Sequence, residues 1–235
     1  MNCAASSAKK RLIVAIDGPS GAGKSSVTKA LADRIGYLHI DTGAMFRVVA
    51  LFALRSGINI DDHIALAAIC AGLNIDFALK DGVCRVFANG EDVSTAIRSP
   101  EISLLTSKVA AVPAVRNHLL LQQRRMGERG GVVLEGRDIG TVVFPEADVK
   151  FYLTASAEER GRRRFAELSA KGVTVNLQQT VTEVMQRDEQ DMNRQYAPLR
   201  RAEDAIEIDS TNISLEKVMV LMEESIHRKE TGDRS

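Results

Sequence analysis

The chain has 235 residues, 45% hydrophobic and 26% charged, the size and balance of one large α/β domain or of a core with inserts. Thirty-one basic residues balance thirty-one acidic ones, so no global field draws the chain to nucleic acid or an anionic membrane, and local charge must bind any anion. Cys3, Cys70 and Cys84 are scattered without C-x-x-C spacing, as suits reduced thiols in a cytoplasmic protein, and no apolar run approaches the ~20 residues of a membrane span.

The first ten residues lack an apolar signal core and read as a loose tail. Residues 12–16 form a short apolar run of buried-strand type. Gly18, Pro19, Ser20, Gly21, Ala22, Gly23, Lys24 and Ser25 follow it and fit the pattern G-x-x-x-x-G-K-[ST]. In that pattern glycines let backbone N–H groups wrap phosphate oxygens. Lys24 would reach the β- and γ-phosphates of a nucleoside triphosphate, and the Ser25 hydroxyl would ligate Mg²⁺. Val27, Ala30, Leu31 and Ile35 then recur at helical spacing up to Gly36, a C-cap residue. The resulting helix would aim its positive end at the same phosphates.

Further strand-like runs lie at 37–40, 132–135, 149–153 and 205–208, alternating with helical patterns, which argues for a parallel sheet covered on both faces. Helices are expected over 42–56 and 61–71, ended by Gly57 and Gly72. Pro100 and Pro113 suit the first positions of two more, and Ser156 with Glu159 reads as a capping box. Residues 73–95 break the alternation: the turn pairs Asp81-Gly82 and Asn89-Gly90 divide them into a small antiparallel meander. The residues after Arg228 are polar and expected to fray.

A phosphate loop does not by itself separate kinases from switch proteins, but no guanine-reading Asn/Thr-Lys-x-Asp follows it, and the remaining polar anomalies suggest a second, anionic ligand. Asp41 to Arg47 would lie at the carboxyl end of the second strand, where α/β proteins bind ligands, with Arg47 offering a planar fork to phosphate. Glu135 to Thr141 follow the third strand and suit a metal or a sugar-base edge. Arg160 and Arg164 share one helix face, where arginines can stabilise a phosphoryl group in flight. Arg187, Asp191 and Arg194 share another and could hold phosphate and ribose together. The four histidines are scattered and read as structural.

The segments Asp17 to Ser25, Asp41 to Arg47, Glu135 to Pro145 and Arg187 to Arg194, in that order, closely resemble the bacterial cytidylate kinases over about residues 11–225. The resemblance implies a three-layer α/β/α fold with a five-stranded parallel sheet, an antiparallel insert in the monophosphate-binding region and a helical lid. One kinase domain would span 11–228, with a core of 11–60, 130–155 and 198–228, a monophosphate-binding part of about 61–125 and a lid of about 156–195. It implies phosphoryl transfer from ATP, with Mg²⁺, to CMP or dCMP by a cytoplasmic enzyme. Residues Gly18 to Ser26, with Ser26 included, would bind ATP together with Arg160 and Arg164. Thr42, Arg47, Ser107, Arg116, Arg137, Asp138, Arg187, Asp191 and Arg194 would bind the monophosphate. Lys24, Arg137, Asp138, Arg187 and Arg194 would carry catalysis. Glu135 stands where the family often has Asp, keeping a carboxylate, and Thr42 stands where Ser is commoner. No long apolar stripe demands a partner chain, so a monomer is expected.

Overall fold

The apolar runs fold as strands that satisfy their backbones through neighbouring strands; those at 13–17, 132–136 and 149–154 are largely buried on both faces, while those at 38–41 and 206–209 lie at the sheet edges and are partly exposed. The structure is a computed structural model and describes residues 11–170 and 172–231. In chain order the elements are β1 (Ile13–Asp17), α1 (Lys24–Ile35), β2 (Leu38–Asp41), α2 (Thr42–Arg55), α3 (His63–Ala71), β3 (Ile75–Lys80), β4 (Val83–Ala88) and β5 (Glu91–Asp92). They continue with α4 (Pro100–Ala111), α5 (Pro113–Gly127), β6 (Val132–Gly136), β7 (Val149–Thr154), α6 (Ala157–Ala170), α7 (Leu177–Asn193), β8 (Ile206–Asp209) and α8 (Leu215–Thr231).

The main sheet has five strands in the order β2-β6-β1-β7-β8, every neighbouring pair parallel. Alternation sorts its side chains into two layers. Val14, Ile16, Val133 and Phe151 pack against Val27 and Leu31 of α1 and Met219 and Met222 of α8. Ala15, Val132 and Leu134 face the opposite way, toward Leu120 and Met126 of α5. Three layers result, with β1 at the centre. The chain returns on both sides of β1, so the end of that strand opens into the crevice where such sheets bind ligands. The meander forms a second sheet, β3-β4-β5, with Asp81, Gly82, Asn89 and Gly90 all at positive φ in its two turns. It is anchored by Ile75, Val86 and Ala88 in the core that α2, α4 and α5 share.

The expected elements are present, with local differences. Three strands, β1, β2 and β8, run to an acidic residue one position beyond the apolar run, because ladder bonds rather than hydrophobicity end them. Helix α3 begins at His63, since the Asp62 side chain accepts from Ile64 N and Ala65 N and is therefore the cap. The capping box at α6 forms only half: Ser156 accepts from Glu159 N, while the Glu159 carboxylate turns to Arg163. Helix α8 continues to Thr231, whose hydroxyl donates to the His227 carbonyl, so fraying does not begin at Arg228. Cys3 and the N-terminal tail lie outside the described residues. Within them, no helix is long and apolar enough to cross a membrane.

Candidate active site

The chain leaves β1 between β6 and β7, and only glycine permits that exit: a Cβ on Gly18, at φ +147°, would stand 1.9 Å from the Leu153 carbonyl oxygen. The loop from Gly18 to Ser26 turns into α1 through Gly23, which is left-handed at φ 92°. Lys24 is the first residue of that helix and is buried. Its Nζ donates to the Gly18 and Pro19 carbonyls at 2.7 Å each. Burial, helped by the charge of Arg137, pushes this ammonium well below its ordinary value, and Glu135 and Asp17 pull the other way.

Beside the loop, the Ser25 hydroxyl donates to Glu135 Oε2 at 2.8 Å. The other oxygen, Oε1, lies 2.9 Å from His39 Nε2. The register Asp41↔Glu135 between β2 and β6 brings these residues together across 96 positions of sequence. Burial opposes the Glu135 charge, but the His39 contact and Lys24 outweigh it and hold the carboxyl below its usual range. Thr42 Oγ1 donates to the Glu135 carbonyl at 2.7 Å, which fixes the start of α2 against the end of β6. Asp41 caps α2 through Ala44 N, and burial beside Glu135 raises its pKa.

From this corner an open cleft of about 560 Å³ extends away from the loop. Nine of its fifteen lining residues, Thr42, Ser107, Arg116, Glu135, Arg137, Asp138, Arg187, Asp191 and Arg194, are singled out by the sequence; Asp41, Gly43, Phe46 and Gly136 fall inside its motifs, and Thr106 and Ala110 are found only in the structure. Arg47 stands beside this cleft, donating to Ser103 Oγ at 2.7 Å, and burial lowers its pKa. Asp191 joins two arginines, accepting from Arg137 Nε at 2.9 Å and lying 3.5 Å from Arg194 Nη1. Asp138 pairs with Arg116, whose guanidinium also covers the Phe46 ring at 5.2 Å, and lies 3.8 Å from Arg194. Arg187 has no such partner for its Nε, which is buried and unbonded among the described residues. Burial and the charge of Arg137 push its pKa down to about 10.

Helices α6 and α7 stand over the loop. They approach closely at Gly161, where a Cβ would come within 2.3 Å of Val181 Cγ2. Arg160 points inward: it donates to the Ser20 carbonyl at 3.0 Å and pairs with the buried Asp188 of α7. Arg164, which shares its helix face in sequence, is instead half-exposed and paired with Glu167. The second arginine on the phosphate loop is Arg163, reaching the Ala22 carbonyl at 3.4 Å and the Ser210 carbonyl at 2.7 Å. No signal within the arginine run singles out Arg163, and nothing in the local sequence around His39 points to its contact with Glu135. Strand pairing alone reveals His39, since β2 and β6 are far apart in the chain.

A phosphate loop at the end of the central strand, opening into a cleft whose charge is carried by arginines, defines a phosphate-loop kinase with an anionic acceptor. The cytidylate kinase family model matches residues 14–228. A cytidylate kinase of Geobacter sulfurreducens is 61% identical over 222 residues, 94% of this chain and 95% of that protein. A second, from Caldicellulosiruptor bescii, is 48% identical over 210 residues, 89% of this chain and 93% of that one. The chain belongs to the cytidylate kinase family. A solved, uncharacterised protein from Eubacterium ventriosum superposes with a TM-score of 0.50 at 10% identity, covering 92% of this chain and 99% of that one, a likeness of fold alone.

Proposed function

We propose that the cleft binds CMP or dCMP against ATP held by the loop, and that the γ-phosphoryl group passes in line to an oxygen of the acceptor phosphate. The bond from the γ-phosphorus to the β–γ bridging oxygen breaks as the new P–O bond forms, giving ADP and CDP or dCDP. The acceptor is largely dianionic at neutral pH, with a second pKa near 6, so no strong general base is required. What remains is positioning and neutralisation of charge.

The observation that carries this reading is the cleft itself, which begins at the Ser25–Glu135 corner and contains Arg137, Arg187 and Arg194 beside the Arg116–Asp138 pair. Arg187 supplies an unpaired donor for phosphate, while Arg137 and Arg194, already oriented by Asp191, flank it. Asp191 would also meet the ribose. The Arg116–Asp138 pair and Ser107 present acceptor and donors side by side, complementary to the cytosine amino group and its neighbouring N3 and O2. Uracil would set its O4 against the Asp138 carboxylate, and a site that leaves buried polar groups mispaired discriminates strongly. Arg47 and Thr42 complete the acceptor side.

On the donor side Lys24 would leave the Gly18 and Pro19 carbonyls for the β- and γ-phosphates, where Arg160 and Arg163, already on the loop, would join it, and Arg164 would follow by leaving Glu167 as the lid closes. Ser25 and Glu135 offer hard oxygens 2.8 Å apart, a donor set that suits Mg²⁺. Ser25 would hold the ion beside the ATP phosphates with Glu135 next to it, and the bound ion would supply positive charge against the triphosphate. The lid of about 156–195 closes over both nucleotides and excludes water that would otherwise hydrolyse ATP. The unit is a single kinase domain over 11–228, acting as a cytoplasmic monomer on small molecules. Two variants test the assignment. Lys24→Ala is expected to lower kcat by about 10²- to 10³-fold. Asp138→Asn is expected to reduce the preference for CMP over UMP, and near-normal behaviour of both variants would refute it.

A further inference from the structure

One buried carboxylate is left unused by this mechanism. Asp17 is the last residue of β1, in register with Gly136 of β6 and Tyr152 of β7, and is 4% exposed. Its two oxygens are both committed: Oδ1 accepts from Ile139 N at 2.8 Å and Oδ2 from Gly140 N at 2.7 Å. Those residues open the π-helical turn Ile139–Val143 that directly follows Asp138. The same carboxylate adjoins Gly18 of the phosphate loop and feels the charges of both Lys24 and Asp138. It thus stands between the two nucleotide sites.

We infer that Asp17 is a positioning residue for base recognition, holding from the ATP side the turn that aims Asp138 at the cytosine. The inference rests on the kinase reading above. Asp138 is tied sideways to Arg116 and faces Arg194. Its own carbonyl accepts from Val142 N and Val143 N, and Arg124 holds the far end of the turn through the Val142 and Val143 carbonyls. The end next to Asp138, where the turn begins, is held from the ATP side by the two bonds to Asp17. The turn is also tightly seated: a Cβ on Gly140 would come within 3.1 Å of Lys150 Cδ and 3.4 Å of Asp17 Oδ2. A carboxylate is the group that can accept from two adjacent N–H groups at once. An amide has one acceptor, so its NH₂ would face one of these N–H groups and release that end of the turn. Burial pushes the Asp17 pKa up to about 6, against its two hydrogen bonds, so the ionised form is retained at a cost in stability, as at functional positions.

The test compares wild type with Asp17→Asn and Asp17→Glu, the second keeping the charge but displacing it by one methylene. kcat and KM are measured for CMP, UMP and ATP, with ATP binding followed separately by calorimetry. The preference for CMP over UMP in kcat/KM is expected to fall about tenfold or more, the scale of one charged hydrogen bond, through a raised KM for CMP. KM and Kd for ATP should stay within about threefold of wild type. In a cycle with Asp138→Asn the losses should be non-additive, because Asp17 acts through Asp138. Wild-type discrimination in both variants, additive losses, or loss of ATP binding by both would overturn the role of Asp17 alone. A wild-type enzyme with no preference for cytosine would instead overturn the functional reading, and this inference with it.

Discussion

Arg187 is charged, buried and partly unpaired, and removing it should make the ligand-free protein more stable while disabling it. Burial and Arg137 displace its pKa from the ordinary guanidinium range to about 10. At about 1.4 kcal/mol per tenfold change in affinity for the proton, this disfavours the charged side chain in the fold by about 3 kcal/mol. The sign follows from linkage. Folded and unfolded chains are both protonated at neutral pH, so the cost is fully present below pH 10 and disappears only as pH rises through the folded and then the unfolded pKa. Arg187→Met keeps length and removes the charge. Asp191 still has Arg137 and Arg194, so no carboxylate is orphaned. We expect the apo variant to gain about 1–3 kcal/mol in urea unfolding, or about 2–4 °C in Tm for each kcal/mol. Its kcat/KM for CMP should fall about 10²- to 10³-fold, because the charge is useful only when a dianionic phosphate occupies the cleft. A variant less stable than wild type without nucleotide would refute the reasoning; so would one that keeps its activity.

Asp188→Asn breaks the buried pair with Arg160 and should cost about 3–5 kcal/mol of stability in denaturant titrations, since it strands a buried guanidinium over the loop. Gly18→Ala should abolish ATP binding in calorimetry, because its Cβ cannot coexist with the Leu153 carbonyl. The raised pKa of Asp17 gives a pH signature. The folded protein takes up a proton near pH 6 and the unfolded chain only at lower pH, so the stability that ionisation removes is regained on acidification through this window. The unfolding free energy of wild type, relative to Asp17→Asn, should therefore rise by about 2–3 kcal/mol between pH 7.5 and 4. A constant difference would contradict the burial-driven shift.

Local signals specified local structure well. Two turn pairs placed the meander, prolines placed the first residues of α4 and α5, and apolar runs placed the five strands, because each depends on neighbours a few residues away. The cleft was legible because its residues came in motifs whose spacing reflects a known order of parts. What stayed hidden depends on which strand lies beside which. The order β2-β6-β1 sets His39 against Glu135 and the Asp17 carboxylate against the turn after Asp138, across 96 and more than 120 positions. Arginines at 160, 163 and 164 differ only in helical phase, and three residues rather than four put Arg163 beside Arg160 on the loop. Helix packing at Gly161, which local propensity disfavours by ~1 kcal/mol, decides that phase.

Phosphoryl transfer to a cytosine monophosphate underlies every role assigned to the cleft. Its most direct test is ADP release from Mg-ATP by the purified protein, with CMP, dCMP, UMP, dTMP, AMP or GMP added separately. Fast turnover with CMP and dCMP and little with the others is expected. Equal or faster turnover with another monophosphate would contradict the roles of Ser107, Arg116 and Asp138, and ATP-binding protein with no acceptor-dependent turnover would contradict the kinase itself.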